Sequence, residues 1–470
     1  MYDSDKSSKV STGMHRRLLV LVLLLAAPAC TPGGAGAETA TQAATGSDFA
    51  PASARIPTPA YLPPACVGVG LATVEPAIAL GPTAAPSANR LISTDDQLDV
   101  LGGLENAVRD NYLYRDFNGL DWTGAVAAVR SSVEAGMDTE GFYQELRLLT
   151  HRLGDEHSYF QSPAEIAAEE AERLGHLNFV GIGTLLQARE DKGFVTVLAV
   201  FPDSPADHAG LRAHDRILAV DGIPTVEDGV PRQQLTRGPG CTLAVLTVQT
   251  PGETARQVSV VREAVSGSLP IDARLLPTSD GSRIGYLFLP TFLDETLSSR
   301  VEQALEAFGP LDGLILDNRV NGGGLGSVAE AMLAFFAAGP MGYYVDSQGE
   351  SLLMIEPHPV HNSQTVPLAI LIGEDTVSYA EVFSGVLQDV ARATLIGQGT
   401  GGNVEQLRAF DFSDGSRVWL AAARFDPPVS GADWEASGIE PDVLVDAAWE
   451  DFPVENDPVV AAGLELLGGK

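Results

Sequence analysis

A serine at the junction between a buried strand and a helix is the first candidate for chemistry in this chain. Residues 368–372 form an apolar run without alternation, which predicts a buried parallel strand. After a short turn, apolar residues recur at helical spacing from Ser378 onward. We therefore expect Ser378 at the positive end of a helix, where ligands and nucleophiles gather in open α/β sheets. The alternative is a serine N-cap with no chemical role.

A serine nucleophile also needs hydrogen-bond donors for the oxyanion formed during acyl transfer. The N–H of Tyr379 lies at the predicted helix start, beside Ser378. The turn Gly322-Gly323-Gly324 bares backbone N–H groups that no side chain covers. Such donors contribute on the order of 3 kcal/mol each in the transition state. The glycines could also serve to allow positive φ in a tight turn, and the two roles are compatible.

The composition excludes some partners and predicts a compartment. The 470 residues can form two or three domains, and a net charge of −33 argues against nucleic acid as a partner. Residues 1–30 have the basic segment, apolar run and small residues of a secretory signal, ending in Cys30. A Cys at this place resembles a bacterial lipoprotein box, which implies an extracytoplasmic protein with a lipid anchor in the membrane at Cys30. Ordinary cleavage remains the alternative.

The rest of the chain divides into four parts. Residues 31–90, rich in Ala, Pro and Gly, predict a flexible tether; residues 91–176 predict a helical region that opens with a capping box at Thr94-Asp95-Asp96-Gln97. Residues 177–265 predict short strands, and residues 266–470 alternate strand and helix. The fold class is α/β with several domains. Sequence alone does not pair Cys66 with Cys241, and we do not expect a disulfide because Cys66 lies in the tether.

The β region resembles a PDZ domain. The resemblance rests on Ser204-Pro205-Ala206, on Ala209-Gly210-Leu211 and on the pattern Asp-x-Ile-Leu-x-Val-Asp-Gly at residues 215–222. It implies that the loop Gly181-Ile182-Gly183 binds the terminal carboxylate of a peptide, which adds as a strand to the sheet edge.

The order of the motifs resembles the S41 peptidases, the C-terminal processing (tail-specific) proteases and their tricorn-like relatives. The motifs are Gly-Asp-Glu-His-Ser from 154, Asp-Asn-Arg-Val-Asn-Gly-Gly-Gly from 317, Val-Ser-Tyr-Ala-Glu from 377, Gly-Gln-Gly-Thr-Gly-Gly from 397 and Gly-Ile-Glu-Pro-Asp from 438. The resemblance implies a core like those of ClpP and crotonase. It also implies that Ser378 is the nucleophile and that Gly323 is an oxyanion donor with Tyr379.

The chain departs from the familiar members at the general base. Asn403 stands where those proteins carry a lysine, and the only lysines are Lys6, Lys9, Lys192 and Lys470. Because none of them lies inside the predicted catalytic core, a Ser–Lys dyad is not expected. The resemblance to the tricorn-like branch implies His157 as base, since imidazole is the usual partner of a serine; a structural histidine is the alternative, because lysine-type members often carry a histidine in this turn too. His358 and His361 are reserve candidates.

A histidine base usually needs an orienting acceptor, and the resemblance places Glu435 in that role, with Ser158 as a further candidate and an ordinary surface glutamate as the alternative. The predicted function is a serine endopeptidase acting on proteins or peptides through an acyl-enzyme at Ser378. The alternatives are a catalytically silent peptide-binding lipoprotein and a hydrolase of small peptides. No metal cluster, phosphate loop or dinucleotide fingerprint is present in the sequence, so no cofactor is predicted.

Overall fold

A computed structural model describes residues 56–73, 90–155, 157–167 and 177–468. The predicted signal segment and Cys30 lie outside these ranges. Within them, no helix combines the length and the apolar character needed to cross a membrane.

The N-terminal half contains a helical block followed by short strands. Its helices are α1 (Thr94–Asn111), α2 (Trp122–Glu134), α3 (Thr139–His151) and α4 (Pro205–His208). Its strands are β1 (Ala72–Thr73), β2 (Tyr159–Gln161), β3 (Leu177–Gly181), β4 (Thr184–Arg189), β5 (Phe194–Val200), β6 (Arg216–Val220), β7 (Ile223–Pro224), β8 (Val226–Glu227), β9 (Val230–Pro231), β10 (Thr242–Gln249), β11 (Arg256–Val261) and β12 (Glu263–Gly267). A further helix begins at 163 and is described as far as 167.

The C-terminal half alternates strands with helices, as the sequence predicts. Its strands are β13 (Ala273–Leu276), β14 (Ile284–Phe288), β15 (Gly313–Asp317), β16 (Gly339–Asp346), β17 (Gly349–Ile355), β18 (Leu368–Ile372), β19 (Thr394–Gly397), β20 (Gln406–Asp411), β21 (Arg417–Asp426) and β22 (Val443–Leu444). Its helices are α5 (Leu297–Phe308), α6 (Gly326–Phe336), α7 (Tyr379–Asp389), α8 (Trp434–Ser437) and α9 (Pro458–Gly468). Short 3-10 segments lie at Pro64–Cys66, Phe117–Gly119, Gln233–Thr236, Trp449–Asp451 and Val454–Asn456.

The catalytic half is built on a six-stranded sheet in the order β13-β14-β15-β18-β19-β22. All neighbours are parallel except the antiparallel pair β13–β14. The central strand β18 is buried along its whole length, because helices α5, α6 and α7 contribute to the core on one face and α9 to the core on the other. The register brings the carboxyl ends of β15 and β18 together, and the Ser378 loop follows β18.

A second sheet connects the helical block to the catalytic half. Its order is β17-β16-β21-β2, with β20 paired to β21. Apolar side chains of α1, α2 and α3 pack on Val418, Leu420 and Ala421 of β21. The helical block is therefore part of the catalytic unit, although the sequence predicts it as a separate region. The capping box of α1 is also one residue earlier than predicted, since Ser93 is the N-cap and pairs with Asp96.

The part of the predicted tether that the structure describes is folded against the β domain. Cys66 and Cys241 form a disulfide, contrary to the expectation from the sequence. Cys66 is 1% exposed, and β1 pairs in parallel with β10, so this stretch packs on the β domain. The apolar surface near Leu243 and Val261 explains the packing, because Cys66 closes a small core cluster there.

Charged and aromatic side chains hold the β domain on the catalytic half. Arg189 of β4 forms ion pairs with Asp375 and Glu450, and Lys192 donates to Glu450. His214 stacks on Trp449 with ring centroids 4.0 Å apart. Because Asp375 precedes Ser378 by three residues, the β domain contacts the loop that carries the serine.

Candidate active site

Ser378 lies at a strained strand-to-helix turn. It is the N-cap of α7 and has φ 57° and ψ −130°, a conformation that a residue with a side chain rarely adopts. Such backbone strain costs on the order of 1–3 kcal/mol and persists only where the surroundings enforce it. The same kind of turn raises the nucleophile of other hydrolases above a sheet.

The buried carboxylate of Glu381 enforces this conformation. Its Oε2 accepts from the N–H of Ser378 at 3.0 Å, while its Oε1 accepts from Thr400 Oγ1 and from the N–H of Gly402. Burial raises the pKa of Glu381 to about 7 against these hydrogen bonds. Glu381 therefore connects the serine turn to the loop at residues 400–404.

The glycine turn after β15 is locked against the serine loop. Asn318 Nδ2 donates to the carbonyl of Ala380 and to Ser384 Oγ in α7. Thr376 Oγ1 donates to the carbonyl of Asn318, and the N–H of Val377 donates to the carbonyl of Asn321. These hydrogen bonds join the loop that follows β15 to the loop that follows β18 and to the start of α7, so the serine turn and the glycine turn form one frame.

Gly323 touches the serine directly, and its conformation requires glycine. Its φ is 83°, and a Cβ there would lie 2.8 Å from Ser378 Cβ and 3.1 Å from the nitrogen of Tyr379. The two predicted oxyanion donors therefore flank Ser378. The two N–H groups differ in their hydrogen bonding. The N–H of Gly323 donates to Asn321 Oδ1 at 3.0 Å. No hydrogen bond from the N–H of Tyr379 to another described residue is present.

His157 is held in a turn that depends on Asp155. Asp155 Oδ1 accepts from the N–H groups of His157 and Ser158, and Asp155 Oδ2 accepts from Ser158 Oγ. Ser158 Oγ in turn accepts from the N–H of Ala421 in β21. Ser158 therefore anchors the turn to the second sheet and does not touch the imidazole through these bonds.

The structure brings His157 and Glu435 together. Glu435 Oε1 lies 2.8 Å from His157 Nε2, and Glu435 Oε2 accepts from the N–H of Val404. His157 is 6% exposed. Burial opposes the charged form of His157, but the hydrogen bond and the charge of Glu435 outweigh it and raise the pKa of the imidazole.

A second carboxylate, which was not predicted as a site residue from the sequence, faces the same nitrogen. Glu405 Oε2 lies 3.8 Å from His157 Nε2, and its other oxygen accepts from the hydroxyl of Tyr114. Burial raises the pKa of Glu405 to about 7. Its position two residues after Asn403 was the available signal, because that segment was already expected beside the serine.

Next to this cluster is an open cavity of about 310 Å³. It is lined by Tyr114, Asn118, Gly154, Asp155, His157, Gly402, Asn403 and Glu435. Asn403, the residue at the lysine position of the familiar members, thus shares a cavity with His157. Ser378 is not among the described residues that line it.

The structure does not join the serine to the imidazole. No hydrogen bond between Ser378 Oγ and His157 is present among the described residues, and His157 Nε2 is directed at Glu435. The reserve histidines lie elsewhere: His358 pairs with Glu302 and His361 with Glu306, on α5. Lys192, the one lysine in the described ranges, is engaged by Glu450.

The predicted peptide-binding loop of the β domain follows β3. Ile182 is 1% exposed and its carbonyl accepts from the N–H of Ala206. Gly183 has φ 87°, and a Cβ there would overlap Ser204 at 2.2 Å, so glycine is required. The next strand, β4, pairs with β5 alone among the described strands, which leaves one edge of this sheet open beside the loop.

Comparisons with known proteins identify both folded units. Residues 283–445 match the model of peptidase family S41, and residues 196–250 match a PDZ domain. The chain therefore carries a peptidase domain of family S41 and a PDZ domain.

Relatives of the same class align over most of the chain. A carboxyl-terminal-processing protease of Synechocystis sp. is 28% identical, with 77% of this chain and 84% of the relative covered. A chloroplastic C-terminal processing peptidase of Tetradesmus obliquus is 29% identical, with coverages of 72% and 75%. The structure of a photosystem II D1 C-terminal processing protease superposes with a TM-score of 0.52 at 26% identity, covering 75% of this chain and 93% of that one.

Proposed function

We propose that this peptidase cleaves proteins or peptides outside the cytoplasm through an acyl-enzyme at Ser378, with His157 as general base and Glu435 as the group that orients it. The observation that carries the base assignment is the 2.8 Å contact between His157 Nε2 and Glu435. The familiar members of the family carry a lysine as base, but Asn403 occupies that position here, and its amide cannot accept a proton.

In this mechanism His157 takes the proton of Ser378 as Oγ attacks the scissile carbonyl, and later returns it to the leaving amine. Tyr379 supplies a backbone N–H to the oxyanion, and Gly323 supplies a second one when its N–H leaves Asn321 Oδ1. Glu435 stabilises the imidazolium that forms between the two steps.

The mechanism requires the imidazole to come within about 3 Å of the serine hydroxyl, a contact that often tightens only when substrate binds. One loop connects the two sides. The N–H of Gly402 donates to Glu381, which holds Ser378, and the N–H of Val404 donates to Glu435, which holds His157. Movement of residues 400–404 on substrate binding would therefore shift the base and the nucleophile together.

The PDZ domain in this proposal captures the substrate. Its Gly181-Ile182-Gly183 loop would bind a terminal carboxylate, and the open edge of β4 would pair with the peptide as an added strand. The names of the relatives, which describe carboxyl-terminal processing, support this assignment. The predicted signal and lipid anchor at Cys30 would place the enzyme on an extracytoplasmic membrane surface.

The base assignment is tested by peptide hydrolysis with matched histidine variants. We expect His157→Gln to lower kcat by about 10³-fold or more, since a positioned base contributes roughly 10²–10⁴-fold. His358→Gln is the control, because His358 also lies 2.9 Å from a glutamate, Glu302, but on the surface. Equal activity of the two variants would refute His157 as the base.

A further inference from the structure

We propose that His157, Glu405 and Glu435 form a binding site for a divalent transition-metal ion of the zinc class, and that its occupation switches the peptidase off. The first part concerns these three side chains alone. The second part rests on the proposed function, because it requires His157 to be the base.

The donor set is already assembled. His157 Nε2, an oxygen of Glu405 and an oxygen of Glu435 all lie within 4.8 Å of one another. Nitrogen with two carboxylate oxygens is a set that zinc accepts, and the cavity beside His157 could provide a fourth ligand from water. Two donors on one tetrahedral zinc lie about 3.3 Å apart, given bonds of about 2.0 Å. The present separations from Nε2, 2.8 and 3.8 Å, bracket that value.

Each carboxylate is held by a donor at one oxygen and directs the other oxygen at the imidazole. Glu405 receives the Tyr114 hydroxyl at Oε1, and Glu435 receives the N–H of Val404 at Oε2. Such outer hydrogen bonds orient the ligands of metal sites and commonly change affinity by about 10- to 100-fold when removed.

The oxygen of Glu405 that faces the cluster has no hydrogen-bond partner among the described residues, although the residue is only 4% exposed. A proton on His157 Nε2 can be donated to one acceptor, and the geometry gives it to Glu435 at 2.8 Å. Buried polar atoms rarely remain unpaired. A divalent cation placed between the three groups would be coordinated by both carboxylates at once, whereas a single proton is donated to only one of them.

Occupation would remove the base from catalysis. A metal bound at His157 Nε2 takes the place of the proton on that nitrogen, so the neutral ring carries its one proton on Nδ1 and is fixed toward Glu405 and Glu435. The imidazole could then neither turn toward Ser378 nor accept its proton. Calcium and magnesium prefer oxygen ligands alone, so they should compete poorly with zinc here.

The site is tested first by binding, in the full chain carrying Ser378→Ala so that no proteolysis occurs. After removal of metal with a chelator, Zn²⁺ is titrated against a chromophoric chelator. We expect one tight site, weakened at least tenfold by Glu405→Gln and several-fold by Tyr114→Phe, which leaves all three ligands in place. Glu302→Gln, at the surface histidine–glutamate pair, should leave the affinity unchanged. Equal affinity in Glu405→Gln, or an equal loss in Glu302→Gln, would overturn the site.

The switch is tested by inhibition of peptide hydrolysis in the active chain. We expect Zn²⁺ to inhibit, Mg²⁺ not to inhibit, and the inhibition constant for Zn²⁺ to rise at least tenfold in Glu405→Gln. Tight Zn²⁺ binding without inhibition would overturn the switch and leave the site standing. Failure of the proposed function is separate: it would be seen as full activity of His157→Gln, whatever zinc does.

Discussion

The nucleophile side of the site, residues 317–324 and 373–381, is formed by two loops that follow neighbouring parallel strands. The base side, residues 155–158, 403–405 and 433–436, is formed by three segments far apart in the chain; His157 and Glu435 are separated by 278 positions. The nucleophile side is fixed by sheet register and by hydrogen bonds from the side chains of Asn318, Thr376 and Glu381 to the local backbone. The base side depends on contacts among the ionisable side chains of His157, Glu405 and Glu435, of which the first two are buried. We infer that the base side is the side on which activity can be regulated.

Removing the orienting charge on the base side should have the largest effect. In Glu435→Gln the amide can donate to His157 Nε2 and favour the wrong tautomer, so we expect kcat to fall by about 10⁴-fold, as expected for an orienting carboxylate in a serine–histidine site. Peptide hydrolysis measures it, with Glu302→Gln as control because Glu302 forms the equivalent pair on the surface. A loss of tenfold or less would mean that Glu435 does not orient the base.

Breaking the buried ion network under the nucleophile side should destabilise the fold. Arg319 is 4% exposed and pairs with Asp317 and Asp457. Arg319→Met leaves both carboxylates buried without their partner, which should cost about 4 kcal/mol in the free energy of unfolding. Arg424→Met removes an exposed pair with Asp426 and should cost no more than about 1 kcal/mol. Urea denaturation compares the two variants, and similar losses would contradict the assigned role of burial.

Substitution of the glycine beside the nucleophile tests the geometry of the nucleophile side separately from the chemistry of the base. Gly323→Ala places a Cβ 2.8 Å from Ser378 Cβ and from the carbonyl oxygen of Val377, so we expect kcat to fall by about 10²- to 10³-fold through a displaced oxyanion donor. Gly252→Ala is the control, because Gly252 has φ 82° with no atom near its Cβ position. Equal kcat in the two variants would show that the turn tolerates a side chain and does not fix the serine.

Acid should loosen the support that the PDZ domain gives to the nucleophile side. Burial, together with the charge of Arg319, lowers the pKa of His214 to about 4, while Asp457 and Asp317 act in the opposite direction. A histidine kept neutral in the folded state stabilises it fully above pH 6.5, and this contribution declines as pH falls from 6.5 toward 4, by up to about 3 kcal/mol. Thermal unfolding midpoints across this range should fall less steeply for His214→Phe. Equal dependence of the unfolding midpoint on pH in the native chain and in His214→Phe would contradict the lowered pKa of His214.

The parts of the molecule that could be predicted from the sequence are those with local patterns. The apolar run at 368–372 and the helical spacing after Ser378 are confirmed as β18 and α7. The PDZ domain, predicted from its extended signature, is confirmed by the family match at residues 196–250. The contact between His157 and Glu435 could be anticipated only through family resemblance, because no local pattern relates them.

The remaining features depend on contacts that a one-dimensional pattern does not carry. Glu405 lies in a segment without periodicity, and only the folding of Tyr114 and His157 against that segment makes it part of the site. The disulfide between Cys66 and Cys241 was not expected because the composition around Cys66 favours a tether. The packing of the helical block on β21 was not predicted, because it depends on where a strand near the C-terminus lies in the folded chain.

The central claim is that Ser378 is an activated nucleophile, and intact-mass measurement after treatment with a fluorophosphonate tests it most directly. We predict a single adduct on the native chain, no adduct on Ser378→Ala, slow labelling of His157→Gln and normal labelling of His358→Gln. An adduct that persists in Ser378→Ala, or a folded native chain that forms none, would contradict the account.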